Sequence, residues 1–151
     1  ALVRRGMEQA GVKLSVSAPA DLPALRTDAE RASRCLTSML FHARKFRVAG
    51  AIALRAERSR GPLAGRGVDF AVLYDGPPMA SASAAACLDL YYPARSPHFG
   101  EPPSRALAAA GLGLGLLRAV ARLMGGDLDF RVESTGRAAV TLSLPMEEES
   151  Q

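Results

Sequence analysis

Residues 50–58 (GAIALRAER) and 68–74 (VDFAVLY) both alternate apolar and polar side chains, and the Gly- and Arg-rich stretch SRGPLAGRG joins them in the manner of a hairpin. DLDFRVES and AAVTLSLP repeat the arrangement near the C-terminus. Sheets of this kind bury one face against another layer, and the intervening segments supply it. Asp28 is placed to cap a helix that carries Ala29, Ala32, Leu36, Met39, Leu40 and Ala43 at steps of three and four and ends near Phe46. Residues 1–10 read as the end of a helix stopped by Gly11, and VKLSV (12–16) as a strand. A second long helix opens on the glycines of GLGLG and runs to Met124, where GG ends it. Between Met79 and Ala110 lie a short Ala-rich helix, SASAAACLDLYY, and the Pro-rich YPARSPHFGEPPSR, expected to be a mobile loop. This order predicts an α+β fold, a two-layer α/β sandwich with a mixed, mainly antiparallel sheet and helices on one face.

The chain has 151 residues, 48% hydrophobic and 23% charged, enough for one domain with its own core. We assign residues 1–10 to the end of an upstream helix or linker, 11–146 to the domain and 147–151 to a solvated tail. Net charge is +4, but the basic residues are spread along the chain and aromatic residues are few, which argues against nucleic acid as a partner. Cys35 and Cys87 lack CxxC spacing and histidine partners, a pattern suited to a reduced, cytoplasmic protein. The longest apolar stretch, 106–117, is closed by Arg118 before it reaches the roughly 20 residues of a membrane span. The first residues lack the core of an export signal and read as a cut within a larger protein.

Gly111, Gly113 and Gly115 let the backbone approach a ligand closely, and the helix they open would offer free N–H groups to an anion. The dinucleotide fingerprint is not met, since Leu116 stands where its last glycine should be, and no Gly-Lys-Ser/Thr follows for a Walker loop. The alternative is structural: a glycine-softened helix packed under the sheet.

GLGLGLLRAVARLMGGDLDFRVES resembles the glycine-rich box, helix, "mGG" and strand of sensor histidine kinases. SMLFHARKF resembles the helix with that family's N-box, VDFAVLYDGPP the strand leading to its first glycine box, and CLDLYY a worn aromatic box before the lid. These matches follow the family's order along nearly the whole chain. The resemblance implies a Bergerat-type ATPase fold, ATP with Mg2+ as cofactors, an upstream dimerisation and phosphoacceptor domain, and a response regulator receiver domain as partner. It implies no membrane contact by this segment, whether or not the whole protein is a membrane-anchored sensor. It also implies that Lys45, Asp75, Gly76, Gly111, Gly113, Gly115 and Leu116 occupy cofactor-binding positions, with residues 93–105 as a closing lid.

The departures are chemical. His42 stands in place of the N-box asparagine that binds Mg2+, and Ser38 in the polar or acidic position one turn earlier. Neutral imidazole suits zinc, copper or nickel, whereas Mg2+ prefers hard oxygen ligands. A hydrogen-bonded histidine on the helix is the alternative to any metal role. Strand alternation puts Phe70, Val72 and Tyr74 on one face, so Tyr74 takes the place of the aspartate that anchors adenine, unless a one-residue slip turns Asp75 inward. Pro78 replaces the later glycine, and Ala138 the hydroxyl residue that supports the anchor. ATP binding, Mg2+ binding and phosphotransfer are therefore expected to be weak or lost. A non-enzymatic pseudo-ATPase that docks or regulates a response regulator or kinase partner is the rival reading.

Overall fold

The computed structural model describes residues 2–88 and 105–147, without the side chains of 2, 83 and 105–112. Residues 93–104 of the expected lid, Tyr91 and Tyr92 of the aromatic box, His98 and the end of the tail lie outside the described residues. Along the chain come α1 (Leu2–Gln9), β1 (Leu14–Ser17), α2 (Ala29–Phe46), β2 (Ala49–Arg58) and β3 (Gly67–Asp75), then α3 (Ser81–Ala86), α4 (Arg105–Leu123), β4 (Asp127–Val132) and β5 (Arg137–Pro145). The five strands form one sheet in the order β1-β2-β3-β5-β4. Only β1 and β2 run parallel; the other pairs are antiparallel, as the two sequence hairpins require. The α+β sandwich expected from the sequence is the fold observed.

Helix α2 forms where its sequence says it should. The Asp28 carboxylate accepts from the N–H groups of Glu30 and Arg31 at 3.0 and 3.1 Å, satisfying two donors that a helix start leaves open. Glu30 in the first turn and Arg44 and Lys45 in the last complement the helix dipole. Ala32, Cys35, Met39, Leu40 and Ala43 make up its buried stripe. That stripe belongs to the same buried core as Ile52, Val72, Tyr74, Leu128, Phe130, Val140 and Leu142 of the sheet.

Helix α4 corrects one expectation. It begins at Arg105 rather than at the glycines, because the Ala- and Leu-rich run at 106–110 favours helix strongly enough to carry the first turn upstream. Its end is as expected: Gly125 takes φ +80°, and the Gly126 N–H donates to the Ala121 carbonyl at 2.9 Å, closing a Schellman turn. The next residue ties helix to sheet. Asp127 accepts from Arg118 at 3.1 Å, Arg122 at 3.2 Å and the Leu128 N–H at 2.9 Å. Burial alone would raise its pKa, but these hydrogen bonds and the two guanidinium charges outweigh it and hold the carboxyl below its usual range.

The turn between β4 and β5 is pinned to the end of β3. Gly136 has φ +89°, its carbonyl accepts from the Gly76 N–H at 2.9 Å, and a Cβ there would sit 2.2 Å from the Gly76 carbonyl oxygen. Gly136→Ala combines a left-handed backbone with a backbone clash. We expect it to lower stability by more than about 1–2 kcal/mol, read as an earlier urea midpoint at unchanged m-value.

Candidate functional site

Ser38, His42 and Lys45 are spaced by four and three residues and therefore share one flank of α2. Facing them across a groove of about 270 Å3 are Gly113, Leu114, Leu116 and Leu117 of α4, with Phe41 and Phe46 of α2 completing its walls. The structure thus brings together the N-box-like helix and the glycine stretch, two segments far apart in sequence. Ser38 and Lys45 lie exposed on its rim, Leu114 is fully buried, and Leu116 is 58% exposed. The Lys45 ammonium sits 6.0 Å from the centre of the Phe46 ring, at the outer reach of a cation–π contact.

The glycines themselves are not at a helix start. Gly111, Gly113 and Gly115 lie in the interior of α4, where an amide N–H is committed to the carbonyl four residues earlier. The expected cradle of free N–H groups at these positions is therefore absent from this conformation.

His42 reaches deeper. Its Nε2 lies 2.9 Å from the Tyr74 hydroxyl, and its ring packs against Phe46 at 4.9 Å and edge-on against Phe130 and Tyr74 at 5.6 and 5.7 Å. The phenol O–H donates when the imidazole proton is on Nδ1; in the other tautomer Nε2–H donates to the phenol oxygen. Nδ1 is buried without a hydrogen-bond partner among the described residues. Burial first, and the Lys45 charge second, push the His42 pKa down to about 4, so the ring is neutral at pH 7. Burial likewise drives the Tyr74 phenol upward, with a smaller contribution from Cys87.

Strand β3 settles which of its last residues faces inward. Val72 and Tyr74 are buried on the helix side, and Tyr74 stands directly opposite Ala138 in the β3–β5 register. Asp75 points to the other face, 3.4 Å from Arg137 and half exposed, so the slip that would have turned it inward does not occur. The irregularity in this part of the sheet falls on β2 instead: Ala49 pairs with Asp75 and Ala53 with Leu73, leaving residues 50–52 opposite Tyr74 alone. Gly76 is buried, and a Cβ on it would lie 2.9 Å from the Tyr74 ring, so this glycine makes room for the phenol.

Sequence reasoning found Tyr74, Ala138 and His42 separately and missed their meeting. The available signal was slight: Phe46 lies one helical turn beyond His42, and Phe130 alternates with Leu128 on an inward-facing strand. A second cleft, about 900 Å3, is lined in part by Ala84 and Leu88 near α3 and by Phe130, Val132 and Ala138. Of the positions the resemblance ties to the nucleotide, its described lining includes Ala138 but none of Lys45, Asp75, Gly76, Gly113, Gly115 and Leu116.

Solved structures share this architecture. ShkA, in a full-length structure in complex with AMPPNP, aligns over 99% of this chain at 22% identity and a TM-score of 0.73. The mycobacterial sensor histidine kinase MprB aligns over 97% of this chain and 90% of its own at 18% identity and TM-score 0.69. The catalytic domain of histidine kinase ThkA, in a nucleotide-free form, aligns over 96% and 87% at 14% identity and TM-score 0.72. The chain therefore has the fold of histidine kinase catalytic domains, and it spans only 30% of the ShkA chain. No family model and no curated protein sequence matches it. No helix among the described residues is long and apolar enough to cross a membrane.

Proposed function

We propose that this chain is a histidine-kinase-type ATPase-like domain of a two-component signalling protein whose nucleotide site has closed, leaving ATP binding and phosphotransfer weak or lost. The observation that carries this reading is the 2.9 Å contact between His42 and Tyr74. By the resemblance, these two residues replace the Mg2+ ligand and the adenine anchor. A nitrogen already bonded to a phenol is a poor metal ligand, and no group of three or more His, Cys, Asp or Glu side chains suited to a metal occurs among the described residues. The phenol ring and the Ala138 methyl stand where a base would need an acceptor and a hydroxyl, and a site without such partners discriminates poorly. The groove lined by His42 and Lys45, about 270 Å3, is at the small end for a ligand site. ATP and Mg2+ thus do not fit the residues present. Lys45 keeps its place on the rim as the one cofactor-binding position with the charge to meet a phosphate.

Calorimetric titration of the chain with ATP or ADP, with and without Mg2+, tests this directly. No saturable binding is expected at millimolar nucleotide. Micromolar, Mg2+-dependent binding would sink the closed-site reading and restore an active kinase domain.

The exposed apolar rim of the groove favours the companion reading, a non-enzymatic domain that docks or regulates a partner. An upstream dimerisation and phosphoacceptor domain and a response regulator receiver domain are the partners the resemblance implies, in a cytoplasmic setting.

A further inference from the structure

Phe41 is 48% exposed and Leu116 is 58% exposed, and they face each other across the α2–α4 groove. Apolar side chains of this size left open on opposing rims mark a contact surface better than scattered ones do. The α2 wall has a regular pattern. Arg31, Arg34, Ser38, Phe41 and Lys45 follow one another by three, four, three and four residues and so line one face of α2. All five are exposed. On the α4 wall, Gly113 meets no atom of another described segment within 4 Å of where a Cβ would be, which leaves a notch for close approach.

The charge along the α2 stripe has one sign. Arg31, Arg34 and Lys45 are its charged members, whereas Arg118 and Arg122 of α4 turn to Asp127 instead. Arg34 meets Glu30 at 2.6 Å and Arg31 meets Asp28 at 3.7 Å, but both pairs are more than half exposed. Pairs of that kind contribute little and exchange readily for another carboxylate. Lys45 at the far end of the stripe has no ion pair among the described residues.

We infer that the α2–α4 groove is a docking site for an amphipathic helix with acidic flanks, its apolar face seated between Phe41 and Leu116 and its carboxylates along Arg31, Arg34 and Lys45. The stripe from Arg31 to Lys45 is about 21 Å long at the helical rise, so it takes about four turns of partner helix. Recognition of this type is set by apolar anchors one turn apart, with charge fixing orientation. The inference rests on the closed-site reading, because an occupied nucleotide site would compete for the same groove.

The test uses two fluorescein-labelled 18-residue helical peptides with leucine along one face. One carries glutamate on its flanks, the other lysine at the same positions. Anisotropy titrations should show the acidic peptide binding in the micromolar range and at least tenfold more tightly than the basic one. Phe41→Ser and Leu116→Ser should each weaken it at least tenfold, with unchanged circular dichroism and urea midpoint, and Lys45→Glu should shrink the preference for the acidic peptide. Equal binding of the two peptides, or an unchanged affinity in Phe41→Ser, overturns the inference. So does a concentration-dependent dimer in sedimentation that Phe41→Ser abolishes, since the face would then belong to a second copy of this chain. Nucleotide titration of the same protein reports on the closed site separately, so failure of one is distinguishable from failure of the other.

Discussion

Replacing Tyr74 by alanine is expected to lower the stability of this domain by about 3–5 kcal/mol, the range for removing a large aromatic from a core. The side chain is 2% exposed and sits at the end of β3, between Ala138 on the neighbouring strand and His42 on α2. Two losses combine. The larger is the ring itself, whose volume neither the Ala138 methyl nor the small side chains around it can refill. The smaller is the hydroxyl, whose removal leaves His42 Nε2 without a partner, as Nδ1 already is among the described residues, at about 1–3 kcal/mol for an unsatisfied buried group. Tyr74→Phe separates them, because it keeps the ring and loses only the second part. Urea unfolding of both variants checks the order: alanine should cost more than phenylalanine. Equal costs would mean that the hydrogen bond, rather than the ring, carries the stabilisation.

Acid should unfold the domain through His42. Its folded pKa lies at about 4 against 6.5 for an unperturbed imidazole, so between those pH values the unfolded chain binds the proton and the native one does not. The unfolded state holds more protons, and stability therefore rises with pH across this window. The contribution is fully present above about 6.5, is lost progressively on acidification, and levels off below about 4. The separation of these values corresponds to about 3 kcal/mol at the bottom of the window. A His42→Gln variant keeps a polar side chain at the position but cannot take up the proton. Its stability should be nearly flat over the same range, measured by urea unfolding at a series of pH values. Asp127 acts in a different window: its depressed carboxyl gives up its stabilisation only as pH falls below the usual carboxylate range. A wild-type profile already flat between pH 6.5 and 4 would mean that His42 is protonated without leaving its aromatic surroundings.

Much of the fold was legible because it rests on local signals. The Asp28 cap, the buried Ala32, Met39, Leu40 and Ala43 of the expected stripe, the two hairpins and the glycines after Met124 are short-range features, and each appears in the structure close to where the sequence puts it. Where the sequence misled, a local signal outweighed a weaker one. The glycines of GLGLG look like a helix start, but the Ala-rich run before them has the stronger helix propensity, and α4 begins six residues earlier than Gly111. Strand alternation correctly turned Tyr74 inward and Asp75 outward, because a side-chain period of two leaves no third choice once Val72 is buried.

The site was legible only as separate substitutions. His42 and Tyr74 are 32 positions apart, and nothing in either segment tells that the two side chains will meet. That is decided by the packing of α2 onto β3, which brings an imidazole to a phenol and surrounds both with Phe46 and Phe130. The groove with its exposed Phe41 and Leu116 is likewise a product of α2 lying beside α4. By itself the sequence determined the elements, their order and which residues face inward, since these follow from periodicity, capping and turn chemistry. The tertiary structure alone decided that these two inward-facing polar groups meet, because burial leaves a polar atom no partner except the one that packing places within reach.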